Sequence, residues 1–176
     1  MSATAVRELL DRLSVSPVRL RALLGSLPET VLRKSPPKGG VAPIEDAWHL
    51  RDIEVEGHYP RIRRILAEEH PVLPSINGEE LALARGYLGR ELGAALDEFA
   101  QYREASLDLL GQQAESAWLR SAQFEGKSVT LRELVTSMAA HDESHLARLA
   151  TDLVGNPQKG NRAGQESSDD AAVRSA

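Results

Sequence analysis

The chain has 176 residues, of which 41% are hydrophobic and 27% charged, totals that suit one globular domain with a substantial core and exclude the disordered class. It has no cysteine, no run of about 18 apolar residues and no apolar leader block in its opening MSATAVRELLDRL, so a cytoplasmic protein is expected, with neither membrane span nor disulfides, whose thiol chemistry, if any, uses an external thiol. A net charge of -5 argues against nucleic acid as a partner, because attraction to phosphate normally dominates that affinity.

In chain order, leucines at helical spacing over residues 3 to 13 predict a first helix, which Ser16 and Pro17 break or kink by capping and restarting it. Its second part, with Leu20, Leu23, Leu24 and Leu27, ends near Pro28, and SPPKGG at 35 to 40 reads as a loop. A second helix starts near Pro43, with Glu45 and Asp46 in its first turn, and runs to about Glu69 with a kink at Pro60. Its basic run Arg61, Arg63, Arg64 is flanked by acidic residues and reads as a solvated face.

After HPVLPSING a third helix is expected from about Gly78 to Leu110, with Leu81, Leu88, Leu92, Leu96, Phe99, Leu107 and Leu110 forming its buried stripe. Residues 112 to 129 look irregular apart from a turn around Trp118. The last helix opens on the capping box of Thr130 and Glu133 and stops at Gly155. The expected product is an all-α four-helix bundle over residues 1–155, followed by a flexible polar tail over 156–176.

His141 and His145 are four apart, so their imidazoles stand one turn from each other on one helix. With about 100° per residue, both fall with Leu134, Met138 and Leu149 in an arc of roughly 80°, the core face. Imidazoles on a core face need partners for their ring nitrogens. A shared metal meets that need, as do carbonyls, waters or carboxylates. On the second helix His49 lies on one face with Glu45, Asp52, Ile53 and Glu56 and is the best third ligand. His58, nine residues on, faces the opposite side of a straight helix and reads, with His70, as a surface or loop residue.

Asp52, one turn from His49, is a candidate to fix an imidazole's tautomer from behind. HDESH is not the zinc-protease motif, since Glu143 lies roughly 200° from His141 and points away. Nor does the chain carry the Glu-x-x-His pairs of di-iron bundles. Arg85 and Arg103 both fall roughly 40° from Phe99 on the third helix's stripe. Each is a candidate to bind a substrate anion, or else pairs with a carboxylate inside the bundle or reaches out at its end.

HLRDIE at 49 to 54, PRIRRIL at 60 to 66 and HDESHL at 141 to 146 together resemble the DinB-like metalloenzyme family, over about residues 17 to 154. The resemblance implies an up-down-down-up bundle in which His49, His141 and His145 hold a divalent metal with positions left open. It also implies possible activities, since the family includes thiol-dependent transferases and isomerases. A crossover over residues 71 to 79 can span roughly 30 Å when extended, which lets the second and third helices run parallel and brings Arg85, rather than Arg103, near the level of His49.

The expected function is a metal-dependent enzyme, with zinc the first choice and nickel or iron alternatives, that acts on a small molecule by hydrolysis or by transfer of a low-molecular-weight thiol. The contrasting reading is a non-catalytic bundle whose metal is structural or vestigial and whose surface binds a protein. A homodimer is compatible with either.

Overall fold

The computed structural model describes residues 3–37 and 39–154; the expected tail over 156–176 and the stop at Gly155 lie outside the described residues. Four long helical rods make up the bundle. The first is α1 (Ala3–Leu24), followed by the single turn α2 (Glu29–Leu32). The second rod is α3 (Pro43–Asp52), a π turn (Ile53–His58) and α4 (Tyr59–Ala67). A crossover then carries β1 (Val72–Leu73), α5 (Gly78–Arg85) and a 3-10 turn (Tyr87–Gly89) to the third rod, α6 (Leu92–Gly111). A 3-10 turn (Glu115–Leu119) and the hairpin β2 (Ser121–Phe124) and β3 (Lys127–Thr130) lead to the fourth rod, α7 (Leu131–Val154). Among the described residues no helix is long and apolar enough to cross a membrane.

Cross-rod bonds fix the directions. Arg21 of α1 reaches Asp97 of α6, and the Leu13 carbonyl takes Arg103, so those rods are antiparallel. Arg51 bonds Glu98, and Glu54 bonds Arg103 and Ser106, so the second and third rods are parallel. Asp46 meets His145 and His49 meets His141, which sets α7 antiparallel to α3. The topology is therefore up, down, down, up, as the extended crossover allows.

The capping chemistry follows the sequence. Pro43 stands at the first position of α3, and the Glu45 carboxylate accepts the Ala42 N–H at 2.7 Å. Thr130 and Glu133 bond each other reciprocally at the start of α7.

Several expectations are corrected. Ser16 and Pro17 neither break nor cap α1; Ser16 is buried at 3% exposure within the helix. Pro17 has no N–H to give the Leu13 carbonyl one turn back, and that carbonyl instead accepts from the Arg103 guanidinium at 3.0 Å. The third helix is not continuous from 78 to 110. Gly86, in the left-handed region at φ 56°, ends α5, a conformation that favours glycine. Leu88 is consequently exposed rather than in a stripe.

Residues 121 to 130 form an antiparallel hairpin instead of irregular chain, turned by Glu125 and Gly126 with φ of 51° and 75°. Positive φ at both central residues suits the twist of a tight hairpin. β1 pairs in parallel with β2, and this three-stranded sheet closes one end of the bundle's core.

The core is divided into two apolar clusters. One gathers Leu20, Leu24, Ile44, Leu50, Phe99 and Leu149; the other gathers Leu13, Ile62, Ile65, Leu110, Trp118 and Met138. Between them in sequence, on all four rods, lie buried polar residues: Ser16, Glu54, Arg103, Ser106 and Asp142. Arg103 is 1% exposed and bonds Glu54 at 2.8 Å, Asp142 at 2.6 Å and the Leu13 carbonyl. One guanidinium thus ties together all four rods. Burial disfavours its charge, but the carboxylates of Glu54 and Asp142 outweigh that and raise its pKa.

Candidate metal centre

His49 sits on α3 beside the break between the two apolar clusters, and His141 and His145 sit on the facing stretch of α7. Their Nε2 or Nδ1 atoms, one from each ring, all lie within 4.8 Å of one another. Nε2 of His49 and Nε2 of His141 are 3.3 Å apart. The ring centroids of His145 lie 4.8 Å from His49 and 4.5 Å from His141. The side chains of His141 and His145 are 29% and 20% exposed, so the cluster is half-buried and reachable from solvent.

Burial, and then the neighbouring rings of His145 and His141, push the His49 pKa down to about 4, so this imidazole is neutral at pH 7 and keeps a lone pair for a ligand. The backbone of Gly78, first residue of α5, packs close to the same ring. A Cβ there would stand 2.6 Å from Cε1 and 2.8 Å from Nδ1 of His49. Only glycine lets the crossover pack so closely without displacing the imidazole.

His145 is oriented from behind by Asp46, whose Oδ1 lies 2.9 Å from Nδ1. An ionised carboxylate only accepts, so Nδ1 carries the hydrogen, and in the neutral ring Nε2 holds the lone pair. Asp46 is 1% exposed and is itself held by Arg148. Sequence reasoning named Asp52 for this role and missed Asp46. Asp52 is fully buried but engaged by Arg51, Arg85 and the Tyr87 hydroxyl. The available signal was Asp46 one turn before His49, yet which face meets His145 depends on inter-helix register, which periodicity does not give.

The two candidate substrate arginines are both committed to carboxylates. Arg85 bonds Asp52 at 2.6 Å and Glu56, and Arg103 is sealed in the core. Arg85 stands beside Asp52, one turn from His49, while Arg103 stands beside Asp142, next to His141, so the expected contrast in level does not separate them. Glu143 points away from the cluster and pairs with Arg12 on α1.

His58 is not a surface residue. It is 8% exposed, and its ring meets that of His141 edge-on at 5.8 Å. The cause is the π turn over Ile53–His58. A π turn acts like one residue added to the α ladder and sets the downstream phase back by about 100°, which swings His58 from the outer side inward. His70 is exposed, with φ 45° and its Nδ1 2.8 Å from Ser121 Oγ.

Burial pushes the His58 pKa down to about 3, against about 6.5 unfolded. Between those values the unfolded chain binds the extra proton, so metal-free protein loses stability as pH falls below about 6.5, by up to about 1.4 kcal/mol per unit from this residue. The urea midpoint in chelator should therefore drop from pH 7.5 to pH 5, and less steeply in His58→Phe. A pH-independent midpoint, or an unchanged slope in the variant, contradicts this.

A parallel-and-antiparallel helical bundle with three convergent imidazoles at mid-height defines a candidate metalloprotein of the all-α class. The chain belongs to the DinB superfamily, whose family model matches residues 12–149. Its fold is similar to that of YfiT from Bacillus subtilis, described as a probable metal-dependent hydrolase with an unusual four-helix bundle topology; the TM-score is 0.80 at 16% identity, over 86% of this chain and 87% of YfiT. No curated protein matches by sequence.

Proposed function

We propose that this protein is a divalent-metal-dependent enzyme that hydrolyses a small molecule, with His49, His141 and His145 as the metal ligands. The observation that carries the reading is the convergence of three imidazole nitrogens, from two antiparallel helices, within 4.8 Å. The donor set fits: three nitrogen ligands with no carboxylate among them suit zinc first, and nickel or iron as alternatives. The description of YfiT supports the choice of hydrolysis.

When bound, such an ion supplies Lewis acidity that brings the ionisation of a water or an external thiol toward neutral pH. The chain supplies the rest. His49 stays neutral because partial burial and the neighbouring imidazoles disfavour its charge, Asp46 holds His145 with its lone pair inward, and the Gly78 backbone keeps the His49 ring in place. Three protein ligands leave room for a reactant, whereas a fourth would close the site.

The test is turnover of a panel of small esters and amides by protein purified without a histidine tag, in chelator and after return of Zn²⁺, Ni²⁺ or Fe²⁺. Hydrolysis that disappears with chelator and returns with one ion, while the fold persists, is expected. Turnover only when a low-molecular-weight thiol and an electrophile are supplied makes the enzyme a thiol transferase instead. Unfolding in chelator, with no metal-dependent turnover of either kind, makes the metal structural and overturns the proposal.

A further inference from the structure

We propose that Asp142 is the positioning residue of His141, accepting the Nδ1–H of that imidazole as Asp46 accepts that of His145. This rests on the metal-binding reading above. Nε2 of His141 faces Nε2 of His49 at 3.3 Å, so its inward nitrogen is Nε2. Its other nitrogen, Nδ1, is buried with no hydrogen-bond partner among the described residues, and Asp142 Oδ1 stands 3.8 Å from it. That separation is about 1 Å longer than a hydrogen bond. A metal-ligating imidazole nearly always donates its remote N–H to a carboxylate, carbonyl or water.

Asp142 cannot come to meet the ring. It is 1% exposed, and its Oδ2 is held by Arg103 at 2.6 Å. Arg103 is fixed in turn by Glu54 and by the Leu13 carbonyl that Pro17 leaves free. His141 therefore closes the gap by a small swing of its own ring, against the edge of His58. The consequence reaches from fold to site. The buried ion cluster that ties the four rods together also sets the tautomer of a ligand, through two adjacent residues of α7 that face different neighbours.

The experiment is long-range 1H–15N imidazole spectroscopy of the full chain, metal-free and with one equivalent of Zn²⁺, on wild type and Asp142→Asn. In wild type His141 should be the Nδ1–H tautomer with a slowly exchanging proton. In Asp142→Asn, Arg103 claims the single amide oxygen and the NH₂ group turns to His141. The ring should then switch to Nε2–H in metal-free protein, and Zn²⁺ affinity should fall 10–100-fold while the His145 signal is retained.

Wild-type His141 found as Nε2–H in metal-free protein and unchanged by Zn²⁺, or a variant with unchanged tautomer and affinity, overturns the proposal. Should the variant fail to fold, the wild-type spectra decide alone. Should wild type take up no Zn²⁺, the metal reading falls, while the metal-free tautomer still reports on the bond to Asp142.

Discussion

Replacing Arg103 by methionine lowers the unfolding free energy by about 3–5 kcal/mol, the range for removing one partner from a buried ionic group. The size follows from what is left behind. Glu54 and Asp142 are 0% and 1% exposed, and without the guanidinium two like charges remain in the core with nothing between them. The Leu13 carbonyl, already without its helical partner because of Pro17, loses its substitute as well.

The signature lies in the pH dependence. Without Arg103 both carboxyls lose a positive charge that holds their pKa values down, so the folded variant takes up protons more readily than folded wild type. Lowering the pH through the carboxylate range then narrows the gap between variant and wild type. Urea unfolding at pH 7 and pH 5 measures this. A variant within 1 kcal/mol of wild type at pH 7, or a gap that widens in acid, contradicts the role assigned to the cluster.

The outline of this arrangement is legible in the sequence, and the reasons are physical. Helical periodicity places His141 and His145 on the core face with Met138 and Leu149. Pro43 with Glu45, and Thr130 with Glu133, mark helix starts by capping chemistry that is local. The long crossover permits the parallel pairing of the second and third rods.

What was hidden depends on non-local or cumulative effects. Reading 100° per residue from His49 to His58 fails because the π turn before Pro60 shifts the phase, and a buried histidine is taken for an exposed one. The break at Gly86 was open to a closer reading, since glycine after Arg85 is a helix-stop signal that the leucine spacing overrode. The hairpin at Glu125-Gly126 carried a similar local signal. Asp46 in place of Asp52 behind an imidazole, and Asp142 as the acceptor for Arg103, are matters of register between helices. No single-helix pattern contains them.

Removal of any one of the three imidazoles should abolish stoichiometric metal binding. Two remaining nitrogens, whether on one helix or on two, leave a half-empty coordination shell, and no other His, Asp or Glu among the described residues completes a cluster of three there. The loss should be specific. His49, His141 and His145 are half-buried rather than sealed, and the Arg103 guanidinium bonds none of them, so alanine variants should keep the helical fold. His58→Ala, by contrast, should retain the metal, because His58 is not one of the three residues whose ring nitrogens converge.

The most direct measurement is therefore the metal content of untagged protein after equilibration with Zn²⁺ and removal of the free ion, for wild type and for His49→Ala, His141→Ala and His145→Ala. One ion per wild-type chain and a small fraction of that in each folded variant is the predicted result. Equal metal in all four proteins, or none in wild type, would contradict it.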